Sequence, residues 1–207
     1  MKVICYDVEV QKNPMDMPHG FNKPFDLGLS TAVAYDWEDD HYHFFMGETG
    51  RIKLIELLNR SDVVVGYNHL QFDNLVVYGN DGRIPSDLTD QQPVDFDLLA
   101  FLRTLRPEIY RYEPGLKLGE VCGKTILKGK RGEGSHAPEL WRQGRIDELF
   151  EYNLSDVRLT WELFVHFMAE GFVIDGTGKA LLLPKDFGNH CSRLKELQEG
   201  LCDEFRK

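Results

Sequence analysis

The segment Val3-Ile4-Cys5-Tyr6-Asp7-Val8-Glu9-Val10 decides how the rest of the chain is read. Its apolar, β-branched composition specifies a buried strand, where a carboxylate is out of place unless something compensates its charge. Asp7 and Glu9 are two apart, so both project from one face of that strand. Carboxylates this close repel each other, and the simplest compensation is a divalent cation. The strand reads as a shelf for metal.

Two more segments place acidic residues in comparable settings. The run 62–67 reads as a short apolar strand of the fully buried kind, and Gly66-Tyr67-Asn68-His69-Leu70-Gln71-Phe72-Asp73 carries the chain on from it. Asp73 follows this strand and opens a helix, where open α/β sheets place ligand-binding residues. Helix capping is the other role open to it, since Asp is favoured at an N-cap. Tyr152-Asn153-Leu154-Ser155-Asp156 lies within the longest helical periodicity, residues 146–170. Tyr152 and Asp156 are four apart and share a helix face. Apolar positions 154, 157, 161 and 164 mark that helix as packed against the sheet, so Tyr152 reads either as a site residue or as a core aromatic with a satisfied hydroxyl.

Working outward, residues 11–26 form a polar loop broken by Pro and Gly. Strands are expected over 27–37 and 41–46, joined through Glu38-Asp39-Asp40 as a hairpin. Helices are expected over 51–60 and 70–78, a strand or strand-to-helix junction over 93–99, and a helical segment over 116–122. Residues 124–134 are basic and Gly-rich, which specifies a mobile loop. A short hairpin over 172–174 and 180–183 and an amphipathic helix over 192–205 complete the chain, the latter with Leu194, Leu197, Leu201 and Phe205 on one face. The order specifies an α/β fold: a mixed sheet, with an antiparallel hairpin plus parallel strands, flanked by helices. The expected organisation is one domain over 1–183 and a C-terminal helical extension over 184–207 packing on it.

Rival clusters are weaker. Asp95 and Asp97 form another same-face pair and are rival metal ligands, but they precede a helix that one of them can cap. His41 and His43 share a face of a hairpin strand, and two ligands do not make a site. Lys124, Lys128, Lys130 and Arg131 form a solvated loop that is also the best candidate for steering a phosphate backbone.

Composition sets limits on function. With 207 residues the chain can bury a sizeable core, and a formal charge of −10 argues against a protein that coats nucleic acid non-specifically. Cys5, Cys122, Cys191 and Cys202 are scattered, without zinc spacing. Cys5 reads as a small buried hydrophobe. No apolar stretch approaches the ~20 residues of a membrane span, and no signal peptide precedes the first strand. A reducing, cytoplasmic setting without membrane association is the expectation.

Asp7-Val8-Glu9, Asn68 through Phe72-Asp73, and Tyr152 through Asp156 together resemble the motifs of the DEDD superfamily of 3′-to-5′ exonucleases, the DnaQ-like branch of the RNase H fold. Tyrosine four residues before the last Asp is similar to the DEDDy subclass; the histidine subclass would carry His at position 151, which is Glu here. The resemblance runs from residue 3 to about 170, and residues 141–163 also resemble proofreading-type exonuclease domains. Two features depart from the pattern: Val10 where Thr is frequent, and the length of the 11–26 loop.

The resemblance implies an RNase H-like fold and release of nucleoside 5′-monophosphates from a 3′ end. It implies two Mg²⁺ or Mn²⁺ ions, with Asp7, Glu9, Asp73 and Asp156 as their ligands. Tyr152 would orient the attacking water, and Asn68 and Phe72 would hold the terminal nucleotide, although Phe72 reads equally well as core packing. The expected partner is nucleic acid with a free 3′ end, single-stranded DNA in preference to RNA, with recruitment to a replication or repair complex. RNA trimming, a catalytically weak nucleic-acid-binding module and an endonuclease on the same fold are the alternatives.

Overall fold

A computed structural model describes residues 1–79, 93–106, 115–129, 136–188 and 191–205. Strand β1 (Val3–Val10) occupies the centre of a five-stranded sheet. Around it run β2 (Leu29–Asp36), β3 (His41–Met46), β4 (Val63–Gly66) and β5 (Val94–Asp97), in the order β3-β2-β1-β4-β5. The β2 and β3 partners are antiparallel, whereas β1/β4 and β4/β5 are parallel. This is the mixed sheet of the α/β, RNase H-like class. A hairpin suffices to join antiparallel neighbours, while a parallel strand requires a crossover, which α1 (Gly47–Asn59) supplies ahead of β4.

The remaining helices are α2 (Asp73–Tyr78), α3 (Leu98–Thr104), α4 (Leu118–Thr125), α5 (Ala137–Arg142), α6 (Ile146–Glu170) and α7 (Ser192–Phe205). A two-stranded ribbon, β6 (Phe172–Ile174) with β7 (Ala180–Leu182), follows α6.

Side-chain parity along β1 divides the interior into two cores. Ile4, Tyr6, Val8 and Val10 pack with Leu54 and Leu58 of α1 and with Val76 and Val77 of α2. Val3 and Cys5 point the other way, into a larger core with Val157, Leu163, Phe164 and Phe167 of α6. Cys5 is fully buried, and its Sγ lies 3.7 Å from the carbonyl oxygen of Val157, so α6 crosses directly over β1. Helix α7 packs against α6 and contributes the buried Leu197 and Leu201 to this core.

Several boundaries move from their expected places. Strand β2 begins at Leu29, because residues 14–16, 20–22 and 24–27 wind into three short 3₁₀ turns instead of an open loop. Helix α4 runs on through Gly123 and Lys124 to Thr125, so Lys124 is helical and not part of a loop. Helix α5 has no counterpart in the sequence reading: six residues are too few to show a period. Helix α6 spans 146–170 as its periodicity specifies, and ends on Gly171 in the left-handed conformation that a residue without Cβ adopts readily.

Candidate metal centre

The site begins where β4 stops. Parallel pairing with β1 covers only Val3, Ile4 and Cys5, because β4 ends at Gly66 and the chain turns away. Beyond Cys5 one edge of β1 is left open at the C-terminal end of the parallel strands, the usual location of ligand sites in open α/β sheets. Asp7 and Glu9 lie on this projecting stretch, still held on the other side by Val33 and Thr31 of β2. Their parity matches that of Val3 and Cys5, so they face α6.

Asp156 meets them there. Carboxylate oxygens of Asp7, Glu9 and Asp156 all lie within 4.8 Å of one another. Opposite ligands of a Mg²⁺ ion stand about 4.2 Å apart, so a small contraction brings the three onto a common hard cation. Glu9 and Asp156 are buried and Asp7 is half-buried. An all-oxygen, anionic donor set of this kind suits Mg²⁺ or Mn²⁺ over softer metals. The triad can hold a divalent metal, and its mutual repulsion gives it reason to do so.

Asn153, one turn before Asp156 and fully buried, donates from Nδ2 to Asp7 Oδ2 at 2.6 Å. It latches α6 to β1 at the carboxylates. In the sequence Asn153 is only one letter of the Tyr152–Asp156 motif. The signal that could have singled it out is its i,i+3 spacing to Asp156, which puts an amide on the same face.

Asp73 is also buried, but it stands outside the triad. Its Oδ1 accepts the N–H of Val8 at 2.9 Å, tying α2 to the middle of β1 between the two acidic positions. It is the first residue of α2 and not its N-cap, which is Phe72. Burial pushes its carboxyl up to about 6, only partly offset by the Val8 hydrogen bond.

Tyr152 is half-buried on the same face of α6. Burial first, then the charges of Asp156, Glu9 and Asp7, raise its phenol far above the ordinary value. Without metal the hydroxyl keeps its proton, so it is available to donate a hydrogen bond.

Asn68 adopts a left-handed backbone (φ 67°), which Asn tolerates better than most residues. Asp97 fixes this turn by accepting the N–H groups of Asn68 (2.9 Å) and Leu70 (3.1 Å), and it also caps α3 at Ala100 (3.0 Å). Capping is therefore the role of Asp97, one member of the second acidic pair. Its partner Asp95 lies 3.3 Å from the fully buried His69, whose ring occupies the space a side chain at Gly66 would need.

These residues open onto one cleft of about 460 Å³. Asp7, Glu9, Asp73, Tyr152 and Asp156 line it together with Asn68 and Phe72, and so do Met15, Phe21 and Pro138, which the sequence did not single out as site residues. Lys124 and Lys128 are exposed and do not line it; Lys128 pairs with Glu162 at 2.7 Å. Lys130 and Arg131 lie outside the described residues. His41 and His43 touch edge to face on the sheet border, with His43 Nε2 4.0 Å from Asp36, away from the cleft.

No protein-family model matches this chain, and no curated protein matches it. Among solved structures it is similar to the family B DNA polymerase from the hyperthermophilic archaeon Pyrobaculum calidifontis, with 19% identity and a TM-score of 0.59. The match covers 82% of this chain and 25% of that one, so this chain spans about a quarter of the polymerase's length. The likeness shows a shared fold. Among the described residues, no helix is long and apolar enough to cross a membrane.

Proposed function

We propose that this chain is a metal-dependent 3′-to-5′ exonuclease that releases nucleoside 5′-monophosphates from the 3′ end of single-stranded DNA. The observation that carries the reading is the convergence of Asp7, Glu9 and Asp156 within 4.8 Å, from a strand and a helix far apart in sequence. Similarity of fold to part of a DNA polymerase accords with it, as do the motifs that resemble proofreading-type exonuclease domains.

Asp7, Glu9 and Asp156 would hold one Mg²⁺ or Mn²⁺, and Asp7 with Asp73, mainly through water, a second. Bound divalent ions supply charge stabilisation to the attacking and leaving oxygens of an in-line displacement. The chain's own groups do the rest. Tyr152, held in its protonated form, donates a hydrogen bond that orients the attacking water. Asn153 keeps the Asp7 carboxylate aimed at the cleft. Asn68 offers its side chain to the terminal nucleotide from a turn that Asp97 holds, and Phe72 packs against the base. Lys124, Lys128, Lys130 and Arg131 would steer the phosphate backbone.

The test is incubation of 3′-labelled DNA and RNA oligonucleotides with Mg²⁺ or Mn²⁺, with Asp7→Ala as the control. Labelled mononucleotide from DNA supports the proposal, and release from RNA alone moves the substrate to RNA. Cutting of a closed circular strand would make the protein an endonuclease. No metal-dependent hydrolysis of any of them would end the reading.

A further inference from the structure

We infer that the segment between Gln11 and Gly28 builds one side of a seat for the 3′-terminal nucleobase, with Phe21 as its contact residue; this rests on the exonuclease reading above. The segment is anchored, not loose. Its two ends are stitched together by Gln11 N–H to Gly28 O (2.9 Å) and Lys12 N–H to Leu27 O (3.2 Å), with the Gln11 side chain donating to Leu29 O (2.8 Å). Asn13 Oδ1 accepts the N–H of Met15 (2.9 Å), and Pro24 and Leu27 of the last turn are buried. On this fixed frame Phe21 is 64% exposed and Met15 84%. Large apolar side chains held in water by a rigid support are unfavourable for the free protein, and a patch of them rimmed by polar groups marks a binding surface.

What would cover these two side chains follows from what adjoins them. Phe21 and Met15 line the same cleft as the carboxylate triad. The Phe21 and Phe72 rings stand 6.2 Å apart at 56°, so they form two inclined walls and not a closed stack. Metal held by the triad would engage phosphate, and the group joined to a terminal phosphodiester that could reach an aromatic wall is the nucleobase. Aromatic walls take any base by its face, and the cleft volume of about 460 Å³ is in the range of a pocket for one small ligand. The seat would therefore accept a terminal base that has left its stack, with little regard for its identity.

The experiment compares wild type with Phe21→Ala and Phe21→Trp on DNA oligonucleotides ending in 2-aminopurine or in an abasic residue. Phe21 is exposed on a short turn, so the variants should melt with the wild type by circular dichroism. Phe21→Ala should raise KM about tenfold on the base-containing strand with kcat changed less than about twofold, and should restore the 2-aminopurine emission that stacking quenches. Phe21→Trp should recover both. The wild-type advantage should collapse toward onefold when the terminal residue is abasic. Equal KM and equal emission for wild type and Phe21→Ala, with hydrolysis intact, would overturn the seat and leave the exonuclease standing. An equal loss with and without the base would also overturn it, because Phe21 would then act on the frame and not on the base. If wild type neither binds nor hydrolyses any strand in Mg²⁺ or Mn²⁺, the exonuclease reading and the seat fall together.

Discussion

Replacing Asp73 with Asn separates the charge of this residue from its hydrogen bond. Burial raises its carboxyl from 3.8 to about 6, a rise of about 2 units. At about 1.4 kcal/mol per unit, ionisation costs the metal-free fold roughly 3 kcal/mol at neutral pH. The sign follows from proton counts. Between pH 4 and 6 the unfolded chain has already released this proton while the folded chain retains it. The native state therefore binds more protons, and its stability declines as pH rises through that window. Asparagine keeps an oxygen for the Val8 N–H and never ionises. Asp73→Asn should thus be more stable than wild type at pH 7 in EDTA, by up to about 3 kcal/mol, with the difference fading below pH 4. Urea unfolding at both pH values, followed by far-ultraviolet circular dichroism, measures it. Hydrolysis should fall about 10- to 100-fold, as for groups that orient metal ligands. A variant less stable than wild type at pH 7, or a gain equal at both pH values, would refute the account of Asp73 as a buried anion awaiting positive charge.

Three further outcomes are expected. Asp156→Ala should lose Mn²⁺ binding by calorimetry and reduce hydrolysis by about 10³-fold or more while the protein stays folded; near-normal turnover would remove Asp156 from the metal cage. Tyr152→Phe should slow hydrolysis about 10- to 100-fold without moving the pH profile between 6 and 9, since the phenol holds its proton throughout that range; a shifted profile would mean that Tyr152 titrates during turnover. Phe164→Ala removes a fully buried ring packed 5.4 Å from Phe96 and 5.7 Å from Trp161, and should cost about 3–5 kcal/mol in denaturant unfolding, with a loss under 1 kcal/mol indicating that the core closes over the gap.

Sequence periodicity was informative wherever local geometry repeats. The apolar, β-branched run Val3–Val10 and the 3.6-residue period of 146–170 marked β1 and α6, and the spacing within each put Asp7 beside Glu9 and Tyr152 beside Asp156. The amphipathic pattern of 192–205 likewise marked α7, whose Leu197 and Leu201 are buried. Segments without a period gave less. The 11–28 connection, rich in Pro, Gly and polar residues, reads as a loop because no repeating face exists to read, although it folds into three turns fixed by their own hydrogen bonds. Asp73 shows how a local rule can mislead: Asp before a helix suggests a cap, yet its carboxylate reaches across to the Val8 amide, 65 residues away in sequence.

Which residues share a strand or helix face depends on bond geometry that repeats every two or 3.6 residues, so the chain's order alone determined those pairs. Which faces meet depended on tertiary packing. Only when β4 stops at Gly66 and α6 crosses β1 at Cys5 does Asp156 arrive beside Asp7 and Glu9, with the Asn153–Asp7 contact spanning 146 positions. The same packing turned an apparent loop into a wall of the cleft, because shape at a site is set by neighbours distant along the chain, which no local repeat encodes.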